Sequence, residues 1–410
     1  MSTSLLYSMF GIKGYSYDGM NVVDGTAVFR ISQAADNLRC GTCGSPRVIR
    51  RGTALRTLRS LPIGSRLTAV QVPVQRVWCA HCQAVRQVQL QFADAFKSYT
   101  RPFMRYVLDL LEFGTIDDIA RHLDVSWGTI KEIQKANLQR RFGKVDLSTV
   151  RQIAIDEIYV GKSHYLTVVL DLESGAVVHV ADGKSGESLA AFWQRLRRGG
   201  RTGQIEAVAM DMSAAFARSV RENLPKAVIV FDHFHLIKLY NEKLTALRRD
   251  LQREATDKLQ KAAIQGTRWL LLKNPENLSV EKLKNGKDER QRLQELLSLN
   301  QPLATAYVLK EDLRQLWAQP GKEAATAWLR QWVGQAQASG ITMLQKFAKF
   351  LQVHQNGILA YYDYPISTGP LEGTNNKIKT MQREAYGYRD HAFFKLKILA
   401  LHNSKLKLVG

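Results

Sequence analysis

The sequence predicts a multidomain α/β protein, and three observations predict it. Two CxxC pairs, Cys40-Gly-Thr-Cys43 and Cys79-Ala-His-Cys82, bracket an arginine-studded segment with strand character. From Arg101 the apolar spacing switches to a helical period. From Arg151 short apolar runs bounded by turn residues alternate with helices, and from about Leu236 the chain reads as almost continuous helix. The expected organisation of the 410 residues is a β module over 1–95, three short helices over 96–145, an α/β region over 150–235, an all-helical insertion over 236–355 and a closing segment over 356–410.

Residues 1–39 carry scattered apolar and aromatic side chains (Tyr15, Tyr17, Val22, Val23, Val28, Phe29, Ile31) and read as a few strands leading into the cysteines. Four thiolates suit one structural Zn²⁺, with each CxxC turn presenting two sulfurs from one knuckle. Gly41 and Gly44 fit tight knuckle turns. The competing reading is four ordinary buried cysteines, but two paired CxxC units seldom arise by chance. His81 reads as a bystander. The intervening arginines (Arg47, Arg50, Arg51, Arg56, Arg59, Arg66) form either a solvated face or a set of phosphate contacts.

Net charge favours the second. With 58 basic against 37 acidic residues the chain carries +21, which points to a polyanionic partner. An anionic membrane surface competes, but no run of about 18 apolar residues exists to span a bilayer. The first residues lack a basic region followed by a long apolar core, so no signal peptide is expected, and the cysteines point to a reducing compartment.

Phe103, Val107, Leu110 and Leu111 mark one helix, and Ile116, Ile119, Ala120 and Leu123 a second. After Asp124-Val125, Ser126 can cap a third helix carrying Trp127, Ile130 and Ile133. This is a helix-turn-helix pattern whose last helix would enter a major groove, with Ser126, Trp127, Thr129, Lys131 and Lys135 as candidate contacts. Three short helices also serve as plain scaffold.

Arg151–Val160 reads as a buried strand with Asp156 at its centre, and a buried carboxylate is costly unless paired or bound to metal. Further strands are expected at Tyr165–Leu170, Ala176–Ala181, Ile205–Asp211 and Ala227–Phe231, with helices at Ser185–Arg198 and Ser213–Asn223. Three meandering strands followed by alternating helix and strand is the order of a ribonuclease-H-like core. In that order the first and fourth strands are neighbours, so Asp156 and Asp211 meet. The insertion holds Trp269, Trp317, Trp328 and Trp332, mostly core residues, with Trp269 a candidate to stack on an unpaired base. Beyond it, helical spacing puts Glu372, Asn376, Lys379 and Arg383 near one face, as suits a helix beside a phosphate backbone or, more plainly, a solvated helix.

The blocks IDEIYVGKSHYLTVVLDLESG, AMDMSAAF, FDHFHLIK, RWLLLKNPENL and STGPLEGTNNKIKTMQREAYGYRD closely resemble those of the ISL-three family of bacterial insertion-sequence transposases, and the CxxC pairs and helix-turn-helix sit where that family has them. The resemblance implies a catalytic triad of Asp156, Asp211 and Glu372 on a ribonuclease-H-like core with a helical insertion. It also implies an Asp-x-x-His element in which His235 orients DNA near the scissile phosphate. Glu157 is expected to face away from Asp156, because strand side chains alternate. Oxygen-only ligands favour two Mg²⁺ ions, or Mn²⁺ as a substitute, which can serve hydrolysis at the element end and then attack by the freed 3′-hydroxyl. The expected partners are double-stranded DNA, as terminal inverted repeats and target, and a second copy or more of the chain on DNA. No membrane is involved, and the expected location is the bacterial cytoplasm at the nucleoid. Two other readings stand beside this one: a non-catalytic zinc and helix-turn-helix regulator, and a structure-specific nuclease of the same fold.

Overall fold

The structure is a computed structural model that describes residues 3–33, 38–279, 281 and 288–402. The end of the expected closing segment, 403–410, lies outside the described residues. The chain divides into two compact units, Met1–Arg141 and Phe142–Gly410.

The first unit opens with a helix, α1 (Thr3–Phe10), where the sequence predicts only strands. Leu6 and Phe10 are fully buried, and the Phe10 ring meets Phe29 edge-on at 5.0 Å. Eight residues are too few to hold a helix alone, so packing rather than propensity makes this one, and no local signal announces it. Strands β1 (Ser16–Val23), β2 (Thr26–Ser32), β3 (Val48–Ile63), β4 (Arg66–Cys79) and β5 (Ala84–Gln87) form one sheet in the order β1-β2-β4-β3, with β5 on β4. The long β3–β4 hairpin is antiparallel and β2 joins β4 in parallel. Val70, Val72 and Val74 supply alternate core positions of β4.

Helices α2 (Arg101–Leu110), α3 (Ile116–His122) and α4 (Trp127–Phe142) follow. Each start is capped by a hydroxyl. Thr100 accepts from the Phe103 N–H, Thr115 makes a capping box with Asp118, and Ser126 accepts from the Thr129 N–H at 3.2 Å. Phe103, Val107, Ile119, Leu123, Ile130 and Ile133 form their shared core, as the apolar spacing predicts. The β module and these helices belong to the same unit. The Arg59 N–H donates to the Ser98 carbonyl and its guanidinium to the Asp124 carbonyl, each at 2.8 Å.

The second unit is built on a five-stranded mixed sheet. Strands β6 (Gln152–Gly161), β7 (His164–Asp171) and β8 (Val177–Asp182) meander antiparallel. After α5 (Ala190–Arg198), β9 (Ala207–Met210) pairs in parallel with β6, and after α6 (Ala214–Asn223), β10 (Val228–Phe231) pairs in parallel with β9. The order is β10-β9-β6-β7-β8. The neighbouring first and fourth strands of the sequence reading are thus observed. Alternation divides β6 between two cores: Ile153 and Ile155 face α5 and α6, while Ala154 and Ile158 face the last helices of the chain.

The helical run begins at His233 rather than near Leu236, because Asp232 caps it. Its elements are α7 (His233–Glu254), α8 (Lys258–Ile264), α9 (Arg268–Leu272), α10 (Glu289–Leu299), α11 (Gln301–Arg314), α12 (Lys322–Ala338) and α13 (Thr342–Leu359). Their apolar faces continue the core on the α5–α6 side of the sheet. Trp332 is buried and donates its indole N–H to the Leu309 carbonyl at 2.7 Å. Helices α14 (Gly369–Glu384) and α15 (His391–Leu399) cover the opposite face through Leu371, Ile378, Phe394 and Ile398. No helix among the described residues is long and apolar enough to cross a membrane.

Candidate active site and cysteine cluster

Strand register brings the first two acidic residues together. Ile155 of β6 lies opposite Met210 of β9, so Asp156, still within β6, and Asp211, just past the end of β9, are neighbours in register. Burial is the chief influence on Asp156 and pushes its carboxyl above the ordinary range. His235 and the Glu157 N–H, which donates to Asp156 Oδ1 at 2.9 Å, pull it down, while the charges of Asp211 and Asp232 push it up again. Asp211 accepts from the Ser213 N–H at 3.0 Å.

Glu372 is carried by α14, the helix that docks on β6. Asn375, one turn further along that helix, is buried and donates its amide N–H to Asp156 Oδ2 at 2.9 Å. Glu372 itself is exposed in the first turn of α14. Asp156, Asp211 and Glu372 are not among the groups, in the described residues, whose ligand atoms all lie within 4.8 Å of one another. The site thus holds two adjacent carboxylates, with the third on a helix docked against the first.

Asp232 fastens this arrangement. It is 1 % exposed, and its Oδ1 accepts from the N–H groups of Phe234 and His235 at 2.6 and 3.4 Å. Its Oδ2 accepts from the backbone N–H of Thr368 at 2.6 Å and from the Thr368 hydroxyl. One carboxylate therefore caps α7 and anchors the start of α14. Asn375 Oδ1 and His235 Nδ1 are both buried without a hydrogen-bond partner. Buried polar atoms left in this state at the mouth of a carboxylate pair are where a ligand would be satisfied. Glu157 points to the other face, as alternation requires, yet burial and then the charges of Asp211 and Asp156 raise its carboxyl. It borders the site electrostatically.

Cys40, Cys43, Cys79 and Cys82 are free cysteines whose sulfurs all lie within 4.8 Å of one another. Cys40 and Cys82 stand 3.9 Å apart, and Cys43 and Cys79 3.5 Å. Tetrahedral Zn–S bonds of about 2.3 Å put sulfurs about 3.8 Å apart, so the set fits a single zinc. The backbone N–H groups of Cys43 and Thr42 lower the Cys40 thiol to about 6, while the crowding thiol of Cys43 leads those that push Cys82 up to about 12. Gly44 turns the first knuckle at φ +72°, and a Cβ on Gly41 would stand 2.2 Å from the Gln87 carbonyl. His81 is exposed and outside the cluster.

Comparison with known proteins gives the family. A family model described as a transposase, of the DDE ISL-three type, matches residues 153–398. The chain is 33 % identical over 410 residues to a transposase for insertion sequence element IS1001 from Bordetella parapertussis, covering 98 % of each. It is 29 % identical over 403 residues to a transposase for insertion sequence element IS1557 from Mycobacterium tuberculosis, covering 91 % of this chain and 87 % of the relative. The chain belongs to the ISL-three family of transposases.

The stretch matched to the transposase family runs from β6 into α15, and so takes in the sheet, the insertion and the Glu372 helix. The DNA-contact candidates lie in both units of this transposase. In the first, Arg50 and Arg51 are exposed on β3, and Trp127, 49 % exposed, sits under the Lys131 ammonium at the start of α4. Ser126 spends its hydroxyl on the cap and on Thr129, and Lys135 is half-buried. Arg56 and Arg59 bond backbone carbonyls within the unit. In the second, Asn376, Lys379 and Arg383 share the exposed face of α14 with Glu372. Trp269 is 63 % exposed with the Arg268 guanidinium 4.8 Å above its ring. The sequence reading missed Asn375 and Thr368, although both stand in the STGPLEGTNN stretch that carries the resemblance.

Proposed function

We propose that this chain is the DNA transposase of an insertion sequence, binding the element's terminal inverted repeats and cutting and rejoining DNA phosphodiesters on a ribonuclease-H-like core. The strand order β10-β9-β6-β7-β8 supports the fold reading. The observation that carries the functional reading is the Asn375–Asp156 hydrogen bond, which docks the Glu372 helix on the strand that also borders Asp211.

Asp156, Asp211 and Glu372 would hold two Mg²⁺ or Mn²⁺ ions, hard cations that suit carboxylate oxygens. Bound there, the ions supply Lewis acidity at phosphorus and a more acidic attacking water or 3′-hydroxyl. The residues of the chain do the rest. Asn375 fixes the orientation of Asp156, and Asp232 holds His235 and the Glu372 helix in register. His235 presents an imidazole beside the carboxylates, where it can position a phosphate. Asn376, Lys379 and Arg383 extend a polar and basic face along the DNA backbone from that point. In the other unit one zinc in the cysteine cluster would brace the arginine-bearing sheet, and α4 would read the terminal repeat in the major groove. Cutting two element ends together requires a homodimer or larger assembly on DNA.

The test uses labelled end DNA with Mg²⁺ or Mn²⁺. Asp156→Asn, Asp211→Asn and Glu372→Gln should each abolish nicking and strand transfer while end binding persists. Full cleavage by any of the three overturns the assignment.

A further inference from the structure

A second group of ligand-type side chains lies away from the acidic site. We propose that His164, Asp182 and His391 form a binding site for a borderline transition-metal ion of the Zn²⁺ or Ni²⁺ class. Such an ion would join the β6–β7 hairpin and the end of β8 to the start of α15. One ligand atom from each residue lies within 4.8 Å of the others. His164 is the first residue of β7, Asp182 the last of β8 and His391 the first of α15, so three separate elements converge.

Two details favour an ion over an ordinary surface ion pair. His164 Nε2 is 3.2 Å from Asp182 Oδ1, yet it is hidden from solvent and makes no hydrogen bond. A ring nitrogen and a carboxylate oxygen that approach this closely out of donor alignment are disposed as two ligands of one ion are. The rings of His164 and His391 meet edge-on, 4.8 Å apart at 70°, and do not stack. The other oxygen of Asp182 is already held by Lys395 Nζ at 2.6 Å, an outer partner that fixes the carboxylate and leaves Oδ1 available. Metal–nitrogen bonds of about 2.0–2.1 Å require the donors to close by roughly an ångström, which rotation of the exposed His391 ring supplies. Two imidazoles and one carboxylate suit Zn²⁺, Ni²⁺, Co²⁺ or Cu²⁺ and not Mg²⁺. His391 and Asp182 are exposed, so an ion enters from solvent and keeps water in its remaining positions.

The test is a Ni²⁺ titration of the full-length protein with its cysteine cluster saturated with Zn²⁺ and Mg²⁺ present in excess. The protein as it stands should take up one further equivalent of Ni²⁺ and unfold at a higher temperature with it. His391→Ala should weaken that binding by more than about a hundredfold, beyond what loss of an outer partner costs. Lys395→Met should weaken it by about tenfold, the cost of freeing a ligand from its outer partner. A purely structural cluster takes up no added equivalent, with or without Lys395. Identical Ni²⁺ isotherms and identical Ni²⁺-dependent melting for the parent protein and His391→Ala overturn the proposal. Since His391 is on the surface, that variant decides the question even if His164→Ala fails to fold.

Discussion

Asp232 and Thr368 are 136 residues apart in sequence and share a buried double hydrogen bond, N–H and O–H of Thr368 both donating to one carboxylate oxygen. That bond ties the helix bearing His235 to the helix bearing Glu372. Thr368→Val keeps the shape and removes one donor from a buried charge. It should cost about 1.5–3 kcal/mol in chemical denaturation. It should also lower end cleavage at fixed DNA occupancy, because Glu372 starts one turn beyond the anchor. A cleavage rate unchanged despite the lost stability would show that α14 is positioned by other contacts.

Asn375→Leu tests the second fastening of α14. It removes the amide that donates to Asp156 while retaining apolar bulk in a buried slot. Binding to end DNA should persist and cleavage should fall by about tenfold to a hundredfold, the usual cost of freeing a ligand from its outer partner. Asn375→Asp, which sets a like charge beside Asp156, should be worse still.

Protonation of Asp156 gives a pH signature. Burial, foremost, raises its folded-state pKa above the unfolded value, so ionisation penalises the fold as pH rises past the ordinary carboxylate range. In the absence of divalent metal, Asp156→Asn should therefore melt higher than the parent at pH 7, and the difference should vanish in acid where Asp156 is already neutral. Parallel melting curves at both pH values would contradict this.

His179 gives the opposite sign. Buried between β8 and α5, with Nε2 facing the Ser188 carbonyl at 3.1 Å, it has its pKa lowered by burial to about 4. The unfolded chain binds that proton first, so stability is complete above about 6.5 and is lost as pH falls toward about 4, by roughly 3 kcal/mol. His179→Gln, which can still donate to Ser188, should flatten stability across that interval in urea titrations.

Removal of one thiol from the cysteine cluster should act on the first unit. Cys79→Ser should release zinc, measurable as loss of one equivalent per chain, and should weaken end-DNA binding. Nicking of nonspecific DNA by the other unit would remain metal-dependent. Zinc content equal to that of the parent protein would refute a four-sulfur site.

Much of the sheet was legible in the sequence because its strands are short apolar runs closed by turn residues, and their order fixes which carboxylates become neighbours. The Ser126 cap of α4 was legible locally, while the Thr100 and Thr115 caps of α2 and α3 emerged only in the structure. What stayed hidden depends on distant partners. Nothing near Thr368 or Asn375 marks residues that bond Asp232 and Asp156 across 136 and 219 positions. The same is true of α1, which exists through Leu6 and Phe10 in a core made elsewhere. Composition also left the partners of particular side chains open: Arg56 and Arg59 read like any other basic residue of β3, and the structure pairs them with backbone carbonyls inside the unit.

Helix α7 runs unbroken for 22 residues, about 33 Å, from His233, next to its Asp232 cap, to Glu254 in the helical insertion. Midway, Tyr240 is locked by the Ala306 carbonyl at 2.7 Å and by the rings of Trp332 and Phe347. A rod clamped at its middle behaves as a lever. The residue that anchors the Glu372 helix is thus the N-cap of a rod fixed inside the insertion, and a strand that tilted the insertion would shift His235 and the Glu372 helix with it.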